Sequence, residues 1–273
     1  MKGVSFGQFY PVESPIHRMD PRAKIILAVT YIVCTFLCKS LVSFLTLFAS
    51  SILLILLSKI PIRIILRSMR PILFVIAVTS AFNLFGTKGE HLLTPADWWI
   101  KIYEEGIWNA CFMVLRISIL IVGTSIFLTY TTTPIALTDA LERLLSPLKV
   151  FKLPVHDFAM IMTIALRFIP TFSAETEKIM NAQKARGADF TSGSLLKRAK
   201  SVIPILIPLF VSAFNRAFEL ASAMECRCYH GGEGRTRLKV LRYRASDFVA
   251  IGGVLLLGGA LIFLNRIAIG YVM

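Results

Sequence analysis

The sequence predicts an all-α membrane protein with about five transmembrane helices and a separate group of long, crossed helices that proline residues bend. Hydrophobic residues make up 56% of the 273-residue chain, and the mean hydropathy is +0.70, whereas soluble domains are about 45–50% apolar. Several separate apolar runs also approach the roughly 20 residues that a helix needs to cross a bilayer. We therefore expect a membrane part over residues 1–130, cytoplasmic or interfacial helices over 131–246, and a last transmembrane helix over 247–273.

Four spans are expected in the N-terminal membrane part, at about 25–38, 41–57, 71–85 and 106–130. The first two come from residues 25–57, which are apolar except at Lys39–Ser40. That length suits a hairpin of two short helices better than one long helix. Lys59 to Arg70 is basic and amphipathic, so we expect it to lie in the membrane interface. The third span, from Pro71, is short and can borrow length from the residues before this proline.

The loop over residues 86–105 is polar, and its Trp98 and Trp99 are typical of a membrane–water boundary. The fourth span contains Arg116, and a later apolar stretch contains Arg167. A charged side chain in such surroundings either lines a substrate path or forms a structural pair. We favour structural pairing, or snorkelling near the interface, for both arginines.

Three further helices are expected at about 135–149, 154–188 and 195–229. The first is amphipathic, with leucines on one side and charged residues on the other. The second and third are apolar in one half and polar in the other. Both contain proline, at Pro170 in the second and at Pro204 and Pro208 in the third, so we expect both to be bent.

The positive charges of the chain predict its orientation. Its formal net charge is +14, and roughly 25 of the 30 Lys and Arg residues lie in segments 1–24, 59–70 and 131–246. Basic loops stay in the cytoplasm, so we place the N-terminus and the 131–246 segment inside the cell. This pattern explains the basic balance better than nucleic-acid binding does, and we expect no nucleic-acid partner.

The chain contains no motif that indicates catalysis. It has no G-x-x-x-x-G-K-[ST] phosphate loop, so we do not expect this chain to hydrolyse ATP or to bind a cofactor itself. Glu225, Cys226, Cys228 and His230 could form a metal cluster, because Cys and His are soft ligands. We favour the simpler interpretation, in which two small cysteines lie near a helix end, and expect no catalytic residue and no bound metal.

Two helix ends share a polar pattern around one arginine. The first tip is Ala185–Arg186–Gly187, and the second tip is Cys226–Arg227–Cys228. Each arginine alone would complement the helix dipole. Gly187 would end its helix by adopting the left-handed backbone conformation. Pro170 precedes Arg186 by 16 residues and Pro208 precedes Arg227 by 19, so the unit recurs with a difference of about one helical turn. Such a repeat suits a partner with two equivalent acidic grooves.

Several motifs resemble one family of membrane proteins. They are Ser14–Pro15–Ile16–His17–Arg18–Met19–Asp20–Pro21–Arg22–Ala23–Lys24, Thr132–Thr133–Pro134, Ala165–Leu166–Arg167–Phe168–Ile169–Pro170 and Ala182–Gln183–Lys184–Ala185–Arg186–Gly187. In this order they resemble the transmembrane coupling subunit, or T component, of energy-coupling factor (ECF) transporters, the EcfT/CbiQ-like family. The resemblance covers nearly the whole chain. It identifies the 131–246 segment with the coupling helices of that family.

The resemblance implies a non-catalytic subunit of an ABC-type importer for vitamins or other micronutrients in a prokaryotic cell membrane. Two partner ATPase subunits would bind ATP and Mg, and each would receive one tip. A membrane-embedded substrate-binding protein, the S component, would contact apolar residues before the tips, which are Ile161, Ile164, Leu206, Phe210 and Phe214. Closure of the ATPase pair would then reorient the S component in the bilayer.

The second tip departs from the family pattern, which commonly has Ala-Arg-Gly where this chain has Cys226–Arg227–Cys228. The missing glycine leaves the local backbone shape open, and Gly231 or Gly232 could end the helix slightly later. Two other functions remain as alternatives. A substrate-translocating permease of another ABC importer would need a polar path, of which Arg116 and Asn83 are the only hints, and a membrane-embedded enzyme would need clustered acidic or histidine side chains.

Overall fold

The structure is a computed structural model that describes residues 9–87, 103–151, 154–190, 194–231 and 241–267. Three expectations fall at least partly outside these ranges. They are the tryptophan-containing part of the 86–105 loop, the link between the expected helices 154–188 and 195–229, and most of the 131–246 segment that follows Gly231.

The described residues form eight α-helices, which confirms the predicted all-α class. In chain order they are α1 Pro21–Leu37, α2 Leu41–Ser58, α3 Ile62–Gly86, α4 Glu104–Thr124, α5 Pro134–Leu144, α6 Val155–Ala185, α7 Leu195–Cys226 and α8 Ala245–Ile267. A π-helical turn, Ser125–Tyr130, continues α4, and a 3-10 helix, Ser146–Phe151, follows α5. The break at Lys39–Ser40 separates α1 from α2, and Ser40 caps the start of α2 by accepting from the Ser43 N–H.

Six helical segments are long and apolar enough to cross a membrane, judged by length and composition within the described ranges. They are Leu41–Ser58, Ile62–Gly86, Glu104–Tyr130, Val155–Ala185, Lys200–Cys226 and Ala245–Ile267. This set differs from the five expected spans because it includes most of α6 and α7. It leaves out α1, whose 17 residues are at the short limit of a membrane span.

Pro71 lies inside α3, so the expected interfacial segment 59–70 and the expected third span form one helix of 25 residues. This continuous helix supplies, before Pro71, the extra length that the expected third span could borrow. Proline removes one helical hydrogen bond, but its fixed φ angle is compatible with a helix. Ile65 before the proline and Ile76 after it are both buried. We attribute the continuity of α3 to this packing on both sides of the proline.

The first amphipathic helix is shorter than predicted, because α5 ends at Leu144 rather than near residue 149. Pro147 explains this, since the residue before a proline is pushed away from helical backbone angles. The chain then tightens into the 3-10 helix Ser146–Phe151.

The chain forms two compact units. The membrane unit consists of the described residues up to Ala140 together with 241–267, and the long-helix unit consists of the described residues of 141–231. In the membrane unit, α1 packs against α4 and α8, and α3 packs against α4. Its core is formed by large side chains that are almost fully buried, among them Leu27, Tyr31, Phe44, Leu47, Ile119, Ile126, Phe127, Tyr130 and Leu261.

Two glycines allow the helices of the membrane unit to approach closely. A Cβ atom at Gly123 of α4 would collide with the Tyr31 ring of α1, and a Cβ atom at Gly258 of α8 would lie 3.1 Å from the Cys34 Sγ. Small residues at such positions are a common means of helix packing in membranes. The other three glycines of α8, which are Gly252, Gly253 and Gly259, have no heavy atom within 4 Å of an added Cβ.

Asp20 and Asp247 join the start of α1 to the start of α8. The Asp247 side chain is fully buried and accepts from the Asp20 N–H at 3.2 Å and from the Arg244 N–H at 2.8 Å. Asp20 caps α1 and also pairs with Arg22 through two hydrogen bonds of 3.1 and 3.0 Å. Lys24, only 1% exposed, donates to the Thr131 carbonyl oxygen at 2.7 Å. The 14–24 motif thus holds three chain segments together.

His17 belongs to the same motif and has a structural role. Its Nε2 donates to the Tyr10 carbonyl oxygen at 2.9 Å, since that oxygen can only accept, and its Nδ1 accepts from the Ser14 hydroxyl at 2.7 Å. These two roles are those of a neutral imidazole protonated at Nε2. Burial lowers the pKa of His17 and favours the same form.

Arg116 and Asn265 stabilise the turn between α1 and α2. The Arg116 guanidinium donates to the Cys38 carbonyl oxygen at 3.1 Å. The Asn265 side chain donates to the Leu37 carbonyl oxygen at 2.7 Å and accepts from the Ser43 hydroxyl at 2.7 Å. These bonds satisfy carbonyl groups that the end of α1 leaves open. The bond to the Cys38 carbonyl supports the structural interpretation of Arg116.

Candidate functional site: two arginine tips and an apolar groove

The first tip ends α6 with a Schellman motif. Gly187 has a left-handed φ of 86°, and its N–H donates to the Lys184 carbonyl at 3.0 Å. The Ala188 N–H donates to the Gln183 carbonyl at 3.0 Å. These are the two bonds that define the motif, and glycine suits the left-handed position because it has no Cβ. Arg186, immediately before this turn, is exposed.

The second tip has the same backbone geometry although it lacks glycine. Cys228 has a left-handed φ of 54°. Its N–H donates to the Glu225 carbonyl at 2.9 Å, and the Tyr229 N–H donates to the Met224 carbonyl at 3.0 Å. The helix therefore ends at Cys226, and the expectation that Gly231 could end it later is wrong, while Gly232 lies outside the described residues.

The two tips are equivalent in register. In each, the arginine is the last residue before the left-handed position, and both arginines are exposed. Across the described ranges, neither Arg186 nor Arg227 forms an ion pair with a carboxylate. Both guanidinium groups are thus presented on a fixed backbone turn, with their hydrogen-bond donors available to another molecule.

A polar contact joins α6 to α7. Glu175 of α6 accepts from the Ser212 hydroxyl at 2.6 Å and from the Arg216 guanidinium at 3.1 Å. Arg216 also lies 5.6 Å from the centroid of the Phe172 ring. The sequence pattern did not predict this contact. The available signal was the spacing of Ser212 and Arg216, which puts both on one face of α7.

An apolar groove lies beside this contact. It has a volume of about 570 Å³ and is lined only by apolar side chains, which are Phe172, Leu206, Ile207, Leu209, Phe210, Val211 and Ala213. A second hollow of about 320 Å³ continues along α6 and α7 and shares Phe172 and Ala213 with the first. Exposed apolar surfaces of this kind mark contacts with a partner or with lipid.

Three of the five predicted S-component contacts line these hollows. Leu206 and Phe210 line the groove, and Ile164 lines the second hollow. Phe214 packs edge-on against Phe210, with ring centroids 4.8 Å apart, and is 51% exposed. Ile161 is 60% exposed on α6 but lines neither hollow.

The metal cluster considered around the second tip is not formed. In the ranges that the structure describes, no three side chains of His, Cys, Asp or Glu come close enough together to hold a metal ion. Cys226 and Cys228 are both free thiols and exposed. The arrangement of this site therefore suits binding by the arginines and by the apolar groove.

Comparison with known proteins identifies the family. Residues 12–238 match the CbiQ family, described as cobalt transport proteins. The energy-coupling factor transporter transmembrane protein EcfT of Ruminiclostridium cellulolyticum is 48% identical over 252 residues, which cover 92% of this chain and 93% of the relative. The EcfT protein of Clostridium kluyveri is 47% identical over 92% of each chain.

A relative of matching length gives the same result. The EcfT protein of Lactococcus lactis subsp. cremoris is 42% identical over 268 residues, which cover 98% of this chain and all of the relative. With the long apolar helices, these matches show a transport protein of the membrane. The chain belongs to the CbiQ family and, within it, to the energy-coupling factor transporter transmembrane proteins named EcfT.

Proposed function

We propose that this chain transmits the closure of two ABC ATPase subunits to a membrane-embedded S component, for uptake of vitamins or other micronutrients. The observation that carries the proposal is the pair of tips. Two long helices end in the same hydrogen-bonded turn, each with one exposed arginine before it. A partner with two similar subunits can hold two such ends at once.

Each arginine supplies the attachment in this mechanism. A guanidinium binds a carboxylate through two parallel hydrogen bonds, which fixes direction as well as energy. A hydrogen bond to a charged group contributes about 1.5–3 kcal/mol. The Schellman turn adds pre-organisation, because Arg186 and Arg227 need not order their backbone when they bind.

The contact of Glu175 with Ser212 and Arg216 gives the two helices a fixed crossing. Movement of either tip is then passed to both helices rather than lost as independent bending. The groove beside this crossing moves with the two helices and is the surface that the S component contacts. Its lining is wholly apolar, so it lacks directional bonds that would hold a partner in one position.

The chemistry of the cycle lies in the partners of this chain. The ATPase subunits would bind ATP and Mg, and the S component would select the nutrient. This chain supplies no catalytic group. The tips face the cytoplasm, as the positive-inside rule places them, and the N-terminus lies on the same side.

Charge reversal at the tips tests the proposal. Arg186→Glu and Arg227→Glu should each weaken copurification of the ATPases, and the double variant should lose transport while still inserting in the membrane. Arg→Lys should also impair attachment, because a lysine cannot reproduce the planar fork. Arg198→Glu is a matched control, since Arg198 is an exposed arginine near the start of α7. A double variant that binds both ATPases and transports normally would refute tip docking.

The alternative of a substrate-translocating permease has less support. Its two hints were Arg116 and Asn83, and both donate to backbone carbonyls, of Cys38 and Thr79 respectively. Substrate binding separates the two functions. The chain purified with two ATPases and no S component should hydrolyse ATP without binding substrate, and tight substrate binding by that preparation would favour the permease.

A further inference from the structure

A basic cleft lies in the membrane unit, away from both tips in the sequence. It has a volume of about 520 Å³ and is lined by Glu13, Ser14, Pro15, Arg18, Lys59, Arg244 and Ser246. These residues come from the segment before α1, the turn between α2 and α3, and the start of α8. The size is within the roughly 300–1,000 Å³ of ordinary ligand pockets.

The charge of this cleft favours an anion. Three of its lining residues are cationic and one is acidic. Glu13 is already engaged, with its Oε2 2.6 Å from the Arg18 guanidinium. Between residues that the structure describes, Lys59 and Arg244 pair with no carboxylate. Within the described part of the chain, two cations around the cleft therefore lack a carboxylate partner.

The backbone holds one of these cations in an unusual conformation. Lys59 has a left-handed φ of 55°, and its N–H donates to the Leu56 carbonyl at 3.3 Å. Residues with a Cβ atom rarely adopt this conformation. The turn thus fixes where the Lys59 side chain leaves the backbone, between two long apolar helices.

The surroundings of the cleft indicate an amphiphilic anion rather than a soluble one. Next to Lys59, Leu56 is 69% and Ile62 is 58% exposed. Next to Ser246, Phe248 is 64% and Val249 is 75% exposed. Helices α2, α3 and α8 are all apolar enough to span a membrane, and the cleft lies where α2 ends and where α3 and α8 begin. The acyl chains of such a molecule can therefore lie along these apolar helices while its anionic headgroup contacts the cations of the cleft.

We propose that this cleft binds the phosphate headgroup of an anionic phospholipid. Lys59 and Arg244 contact the phosphate, and Arg18 contributes from beside Glu13. Basic pockets between membrane helices commonly bind such headgroups.

Titration of the purified full-length chain in neutral detergent tests this site. The probes are short-chain phosphatidylglycerol, short-chain phosphatidylcholine and inorganic phosphate, and bound lipid is counted by native mass spectrometry. Phosphatidylglycerol should bind more tightly than phosphatidylcholine. Lys59→Gln and Arg244→Gln should each weaken its binding about five-fold, from about 1 kcal/mol per basic residue near an anionic surface. The double variant should bind phosphatidylglycerol about 25-fold more weakly if the two residues act independently.

Two matched controls and one rescue make the result specific. Arg63→Gln removes an exposed charge from the first turn of α3, outside the lining, and Arg266→Gln removes one from the last turn of α8. Both control variants should bind phosphatidylglycerol within two-fold of the affinity of the unchanged chain. Lys59→Arg should retain binding. Equal losses in Arg63→Gln and Lys59→Gln would overturn the site in favour of diffuse surface charge. Equally tight binding of inorganic phosphate would overturn the assignment to a lipid.

Discussion

Replacing Cys228 with glycine should stabilise the end of α7. Cys228 has a φ of 54° in the Schellman turn, and a side chain in the left-handed region costs roughly 1–2 kcal/mol. Glycine removes that cost but loses more conformational entropy on folding, by about 0.5–1 kcal/mol. The net expectation is a gain of about 0.5–1 kcal/mol, from the difference of these two effects. That gain corresponds to a two- to five-fold shift in the local opening equilibrium.

The reverse change at the first tip is the matched comparison. Gly187→Cys puts the residue of the second tip at the same position of the first. A Cβ atom at Gly187 would meet no heavy atom within 4 Å, so the cost is conformational and not steric. We expect this variant to open about two- to five-fold more readily, which is the same magnitude with the opposite sign.

Hydrogen exchange of the backbone amides measures both effects. The informative groups are the Tyr229 N–H and the Ala188 N–H, which close the two Schellman turns. After correction for intrinsic exchange rates, Cys228→Gly should slow exchange at Tyr229, and Gly187→Cys should speed it at Ala188. Faster or unchanged exchange in Cys228→Gly would refute the view that the second tip is strained and otherwise equivalent to the first.

Three further changes test other parts of the structure. Glu175→Gln should lower the free energy of unfolding of the purified chain by about 1 kcal/mol, because it weakens a charge-assisted bond to the partly exposed Arg216. An unchanged melting temperature would show that the crossing of α6 and α7 does not depend on this pair. Phe210→Ser should reduce copurification of the S component several-fold and spare ATPase attachment, and equal loss of both would argue against a separate groove. Asp247→Ala should destabilise the membrane unit by about 2–3 kcal/mol in thermal unfolding, because a buried and a part-buried N–H group lose their acceptor. Asp247→Asn keeps an acceptor oxygen and should cost less in the same assay.

The membrane class and the end of α6 could be predicted because both depend on local sequence. Run length and hydropathy indicate spans directly. Gly187 is a strong local stop signal, since glycine is the residue that most readily adopts the left-handed turn. At the second tip the same rule pointed past Cys228 to the next glycine. The helix instead ends at Cys226, because a Schellman turn also forms with a non-glycine residue at a modest energetic cost.

Features that depend on tertiary contacts were not accessible in this way. The sequence could not show how far α3 extends before Pro71, because buried residues on both sides of this proline keep the helix continuous. The Glu175–Arg216 contact joins residues 41 positions apart. Sequence spacing shows that Ser212 and Arg216 share a face of α7, but it cannot show which helix that face meets.

The bond from the Asp20 N–H to Asp247 spans 227 positions of the sequence and has a consequence for biogenesis. Helix α1 is synthesised before α8, so it waits for this partner while the segments between them are translated. The Asp20 N–H and the Leu37 carbonyl lack their α8 acceptor and donor until then. A chain that stops before α8 therefore leaves both groups without the partners that join α1 to α8.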